Sequence, residues 1–251
     1  MAAPTFYVKP ALIDRERHRA LRVRRDAGFG FAAGAHAMPL AAAEFKEACK
    51  EYAIVFARGA QGVEPQVLLG LRDGENLFVD AAGHWDARYL PAFVRRHPFV
   101  LAELPNRSLG VCVDEAFAAP GGTEGDSLFD AEGRETPFLR QSIDFLERFQ
   151  HEWERTRAFC QRLDQAGVLQ AMNARAEPAG GGTFDLQGLW VVDEQRLRAL
   201  DDPTVLAFFR AGELELIGMH LLSLSNLQGL LVRLDECKRA GATTPSPSGG
   251  G

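Results

Sequence analysis

Apolar and polar positions divide this chain into two halves with different periods. Up to about residue 137 the apolar residues come in short runs broken by turn formers. Ala53 to Ala57 and Gln66 to Leu71 flank a turn-rich stretch, the pattern of adjacent buried strands. The runs Phe6 to Val8, Leu77 to Val79 and Val111 to Val113 predict further strands, and Gly28 to Gly34, which sets glycines beside phenylalanines, reads as a strand approached closely by other backbone. Two short helices interrupt this half. One follows Pro39 through Phe45, Cys49 and Tyr52, and one follows Pro91 with Phe93 and Val94 facing inward. Asp80 to Gly83 predicts a hairpin turn, because Asp bonds the backbone ahead of it and Gly takes a positive φ; Leu128 to Gly133 echoes it.

From Phe138 the period changes. Leu139, Ile143, Leu146, Phe149, Trp153, Cys160 and Leu163 fall on one helical face, predicting a single amphipathic helix over 138–165 ended by Gly167. Beyond a glycine-rich connection at 176–182, residues 184–193 predict a strand, followed by a helix through Leu197 and Leu200. Asp202 before Pro203 predicts a helix cap, and 213–221 alternates like a strand. Ser225 or Asn226 is expected to cap a last helix carrying Leu227, Leu230, Leu231 and Leu234. Residues 239–251 cannot bury apolar surface and are expected to be disordered. The fold class expected is α+β, a mostly antiparallel sheet packed by the long helix and C-terminal helices.

Composition narrows the functions. With 46% hydrophobic residues in 251, the chain can bury a core, while a net charge of -6 repels polyanions and argues against nucleic acid as a partner. No window approaches the roughly 20 apolar residues that cross a bilayer, and the N-terminus lacks the features of a secretory signal. A soluble, cytoplasmic protein is expected. Cys49, Cys112, Cys160 and Cys237 are scattered, with no CxxC pair, and read as idle thiols. Six arginines between Arg15 and Arg25 make a local basic stripe; Arg17, Arg24 and Arg25 could meet phosphates or an acidic partner, though such a stripe is more often neutralised by the protein's own carboxylates.

Two sets of residues could carry chemistry. His84 and Asp86 form an H-x-D pair that, with His220 as a third ligand, would suit a non-haem metal-dependent oxygenase. Arg95 and Arg96 offer forked donors to a carboxylate or phosphate beside an apolar wall of Trp85, Tyr89, Phe93 and Phe99, a combination that suits a peptide or a carboxylate-bearing small molecule. No G-x-S-x-G marks a nucleophile, so no catalytic residue is assigned, and no cofactor is expected.

The pattern N-L-F-V-D-x-x-G-x-W-x-x-x-Y-x-P-x-x-x-R-R-x-P-F at Asn76 to Phe99 resembles the bacterial SapC family. Pro39 with Glu44 and Phe45, the run Tyr52 to Phe56, residues 128–133, Gly188 with Leu189, and the run 212–224 carry the resemblance further. It implies a single domain over 1–238, β-rich to about 137 and helix-rich after. The family is named for a surface-layer locus, and some members carry a peptide-transport label. The resemblance therefore implies an accessory role in peptide or nutrient handling at the surface layer or outer membrane, with a peptide or protein partner and no established catalytic residues.

Overall fold

The computed structural model describes residues 6–24, 28–59, 61–105, 107–120, 124–176 and 184–242. Its strands are β1 (Pro10–Leu12), β2 (Leu21–Val23), β3 (Ala37–Pro39), β4 (Ile54–Gly59), β5 (Gly62–Leu68), β6 (Phe99–Glu103), β7 (Leu109–Asp114), β8 (Ala118–Pro120), β9 (Asp126–Ser127), β10 (Leu169–Ala176) and β11 (Phe184–Val192). The helices are α1 (Phe45–Ala48), α2 (Ala92–Arg95), α3 (Pro137–Gln165), α4 (Glu194–Arg198), α5 (Asp202–Arg210), α6 (Glu213–Ser223) and α7 (Leu227–Ala242). The architecture is α+β. A five-stranded sheet runs β10-β11-β4-β5-β3, and two three-stranded sheets run β1-β7-β6 and β8-β2-β9, with antiparallel pairing throughout.

Two hydrophobic cores result. The larger one packs Tyr52, Ile54, Phe56, Val67 and Leu69 against Phe159, Cys160 and Leu163 of α3 and Ile217 of α6. The smaller gathers Leu21, Val23, Phe99, Val113, Leu128 and Phe129 around Leu139 and Leu146 of the same helix. The periodic stripe on α3 thus serves both. Thr136 starts the helix by accepting from the Leu139 amide, with Pro137 at the first turn, where a missing N–H costs nothing.

The two Asp-x-x-Gly turns have the same hydrogen-bond pattern. In the first, the Asp80 amide donates to the His84 carbonyl, and the Asp80 carboxylate accepts from the Ala82 and His84 amides. In the second, the Asp130 amide donates to the Arg134 carbonyl, and the Asp130 carboxylate accepts from the Glu132 and Arg134 amides. Gly83 and Gly133 both hold a positive φ. Each turn closes a single bridge, Val79 to Trp85 and Phe129 to Glu135. Leu77 to Val79 is therefore not a full strand but the arm of a tight turn.

Other expectations change. Residues 28–34 form no strand: Gly28 takes a positive φ, the Phe29 amide donates to the Gly83 carbonyl at 2.7 Å, and a 3-10 turn follows at Gly30–Ala32. The helix after Pro39 shortens to a 3-10 turn plus α1, because the Glu44 carboxylate turns back to the Ala41 amide. The stretch 213–221 is helical, not a strand. Glu213, Ile217, His220 and Ser223 are its buried residues, at spacings of three and four, and the Leu-Glu alternation fits both periods over so short a run. Asp201, one residue earlier than expected, caps α5 by accepting from the Thr204 amide. Neither Ser225 nor Asn226 caps α7; Ser225 donates to the Leu222 carbonyl, and the Asn226 amide donates to the Cys49 and Tyr52 carbonyls. Of the connection expected at 176–182, Ala176 ends β10 and the rest lies outside the described residues; of the tail expected to be disordered at 239–251, residues 239–242 continue α7 and 243–251 lie outside the described residues.

Two glycines separate a rigid packing constraint from a soft one. A Cβ on Gly70 would sit 2.1 Å from the Glu75 carbonyl oxygen, which is backbone, whereas one on Gly110 would first meet the Leu12 side chain at 2.6 Å. Gly70→Ala should therefore destabilise by about 2–3 kcal/mol, and Gly110→Ala by less than about 1 kcal/mol. Urea unfolding of both variants checks this; equal costs would contradict the contrast.

Candidate functional site

A cleft of about 370 Å³ opens where the two cores meet. Three stretches of chain supply its walls: Gly28, Phe29 and Phe31 from the first glycine-rich turn, Leu90 and Val94 to Phe99 around α2, though not Phe93, and Phe138, Gln141, Ser142 and Phe145 from the first turns of α3. Phe117, Val23 and the exposed Arg24 complete it. The apolar lining comes from rings left over at the edge of two cores, so an apolar group entering here continues the packing on both sides.

Arg95 and Arg96, adjacent in sequence, meet different surroundings. Arg95 is exposed; its Nε donates to the Leu90 carbonyl, and its guanidinium lies 5.2 Å from the centre of the Phe145 ring and 5.9 Å from that of Tyr89. Arg96 is only 8% exposed. Its guanidinium lies over Phe93 at 3.8 Å and near Phe149 at 5.1 Å, with the Tyr7 hydroxyl beside it. The Arg96 Nε has no hydrogen-bond partner, and among the described residues no carboxylate pairs with this guanidinium. Desolvation lowers its pKa from the usual arginine value, with Tyr7 opposing. Tyr7 is itself pushed up to about 12, mainly by burial, and its hydroxyl donates to the Phe99 carbonyl at 2.6 Å.

His97 follows at once, joined to Pro98 by a cis peptide bond. Its ring stacks on Phe31 at 3.8 Å and meets Phe117 edge-on at 4.6 Å. Burial is the main cause that brings its pKa down to about 4; Asp114 opposes the shift and Arg96 adds to it. At neutral pH it is an uncharged ring, and its Nε2 lacks a partner.

Trp85 and Tyr89 do not line this cleft. The Trp85 Nε1 donates to the Tyr52 hydroxyl at 2.9 Å, which in turn donates to the Tyr89 carbonyl. The Tyr89 hydroxyl donates to buried Glu44 at 2.8 Å, and the Glu44 carboxylate also accepts from the Ala92 amide. Both rings therefore brace the segment that carries the arginines. Sequence reasoning missed Phe31, His97, Phe117, Phe138 and Phe145. The seven-residue spacing of Phe138 and Phe145 on α3 was the one local signal for any of them.

The fold does not bring His84, Asp86 and His220 together as a metal site. No group of three or more His, Cys, Asp or Glu side chains able to hold an ion exists among the described residues. His84 is 77% exposed and pairs with Asp80, and Asp86 pairs with Arg233 of α7 at 2.6 Å. His220 is fully buried, and both its ring nitrogens are taken: Nδ1 faces the Ile54 carbonyl at 2.9 Å and Nε2 accepts from the Val192 amide at 3.1 Å. It is a strut between α6 and strands β4 and β11. The basic stripe is also spent internally: Arg17 pairs with Glu115, Arg22 donates to the Gly125 carbonyl and Arg19 to the Ala131 carbonyl, and Arg24 lies 4.0 Å from Glu124. Arg25 lies outside the described residues. Cys49, Cys112 and Cys160 are buried free thiols, and Cys237 is an exposed one. No helix among the described residues is long and apolar enough to cross a membrane.

A family model described as SapC matches residues 13–230 of the chain. No curated protein and no solved structure matches it.

The buried histidines set an acid limit. Burial brings His220, like His97, down to about 4, with its bond to the Ile54 carbonyl opposing the shift. In the unfolded chain both titrate near pH 6.5, so between about 6.5 and 4 the unfolded state holds more protons and stability falls as pH is lowered. For the fully buried His220 the loss is on the order of 3 kcal/mol. Urea midpoints measured at about pH 7, 5.5 and 4.5 should decline, and His220→Gln, less stable at pH 7, should lose less over that range. A flat wild-type profile would contradict neutral burial.

Proposed function

Because this chain belongs to the SapC family, we propose that it acts as a binding or accessory protein that captures a carboxylate-bearing ligand, a small acid or a peptide, in the cleft beside Arg95 and Arg96. The observation that carries this reading is the buried Arg96 guanidinium without a carboxylate partner. Removing a guanidinium from water costs several kcal/mol unless a counter-charge is present. A ring contact such as that with Phe93 offsets only about 1–2 kcal/mol of this. An incoming carboxylate would supply the missing counter-charge in a site where few waters compete.

Arg95 supports the reading from the rim. Exposed and free of a carboxylate partner among the described residues, it can draw an anion toward the cleft without a desolvation cost. The role that the family resemblance implies, peptide or nutrient handling at the surface layer or outer membrane, would suit a protein that binds and hands on an acidic ligand.

Equilibrium dialysis of the purified protein against a cell extract of small acids and short peptides, read by mass spectrometry, tests the reading. Acids should be enriched by the wild type, about threefold or more weakly by Arg95→Ala, and about tenfold or more weakly by Arg96→Met. Circular dichroism of each variant separates lost binding from lost fold. Enrichment that is absent, or unchanged in both folded variants, would rule the reading out.

A further inference from the structure

We infer that the cleft takes an aryl carboxylate: one or two aromatic rings on a short tether to a single carboxylate that sits against Arg96. This rests on the binding function proposed above and narrows it to a chemical class. Charge sets the first limit. Arg96 is the buried cation of the cleft, Arg95 and Arg24 also line it but are exposed and screened by solvent, with Glu124 4.0 Å from Arg24, and His97 carries no charge at neutral pH. One desolvated positive charge balances one negative charge; the second charge of a phosphate monoester would stay buried without a counter-ion.

Ring geometry sets the second limit. Phe31 and His97 stack nearly parallel, 17° apart, and Phe117 stands edge-on to both, at 76° and 83°. With centroids 3.8, 5.7 and 4.6 Å apart these three rings pack on one another as a single wall, and with Phe29, Phe138 and Phe145 they give the cleft a largely aromatic lining, which favours an aromatic guest over a branched aliphatic one. Phe138 and Phe145 add further apolar lining from α3.

Volume sets the third limit. A cavity of about 150 Å³ holds one benzene ring. The 370 Å³ here holds one or two rings and a tether, and the open mouth lets anything attached to them extend into solvent. Two sources share this chemistry: a free aromatic acid, and the C-terminal aromatic residue of a peptide, whose terminal carboxylate lies at a comparable distance from its ring.

Calorimetric titration of the wild-type chain distinguishes these. The probes are 3-phenylpropionate, its amide, phenyl phosphate, 3-cyclohexylpropionate, and Gly-Gly-Phe with a free or an amidated C-terminus. The acid should bind about tenfold or more tightly than its amide and ahead of both phenyl phosphate and the cyclohexyl acid. Gly-Gly-Phe binding at least as tightly as phenylpropionate, with loss on amidation, would assign the peptide source; weaker binding would assign the free acid. Arg96→Met should bring the acid-to-amide ratio to about one. Should that variant fail to fold, the ratio on the wild type remains decisive, and Gln141→Trp, on the exposed face of α3 at the cleft, should block the acid. Amide equal to acid, or phosphate ahead of it, overturns the inference. A cyclohexyl acid that matches the phenyl acid and still requires Arg96 overturns the aromatic class while leaving anion capture standing; no Arg96-dependent binding by any probe removes both.

Discussion

A 29-residue helix with one continuous apolar stripe is the constraint on which the rest of this fold depends. At 1.5 Å per residue it is about 43 Å long, more than one compact core of this size can cover. Its N-terminal turns bury Leu139 and Leu146 among the small sheets, and its C-terminal turns bury Phe159, Cys160 and Leu163 against the large one. Two cores on one helix must meet along a seam. The cleft lies at that seam, lined by the rings of Phe138 and Phe145 and by the segment that runs from Leu90 to Phe99.

That segment is held in place by polar contacts rather than by long strands. Glu44 accepts from Tyr89 and Ala92, Glu51 accepts from the Arg88 and Tyr89 amides, and Tyr52 links Trp85 to the Tyr89 carbonyl. Upstream, the Asp80 turn receives the Phe29 amide on the Gly83 carbonyl and is tied to α7 through Asp86 and Arg233. The second Asp-x-x-Gly turn fixes the entry to α3, since the Thr136 amide donates to the Leu128 carbonyl just after it. One turn therefore positions the wall before the arginines and the other positions the helix opposite in the chain's path. The repeated motif makes physical sense as two copies of one bracket.

Within this frame the two arginines divide their tasks by depth. The α2 turn places consecutive side chains about 100° apart, so Arg95 reaches solvent while Arg96 lies over Phe93. Burial without a carboxylate makes Arg96 costly as structure and informative as a site. His97 adds a neutral ring because the same burial strips its proton.

Much of the architecture was legible in the sequence. The 3.6-residue period over 138–165 could bury its stripe in only one way, and the α+β class, the neighbouring positions of β4 and β5, the helix after Pro91 and the Asp-x-x-Gly turns each followed from local patterning or turn chemistry, although most of the stretch read as a turn between β4 and β5 is paired strand. Local signals failed where two periods fit equally, as at 213–221, and where a distant carbonyl dictated the backbone, as when Gly83 bends residues 28–32 out of a strand. The site followed the same division. Its arginines stood out by type and spacing, but which of them is buried, that Trp85 and Tyr89 serve as braces, and that Phe31, His97 and Phe117 stack together depend on contacts between segments tens of residues apart. The chain alone determined its periodic elements and its tight turns because those are short-range properties of neighbouring residues. Only the tertiary structure decided the cleft, because burial and the absence of a counter-charge at Arg96 are properties of everything packed around it.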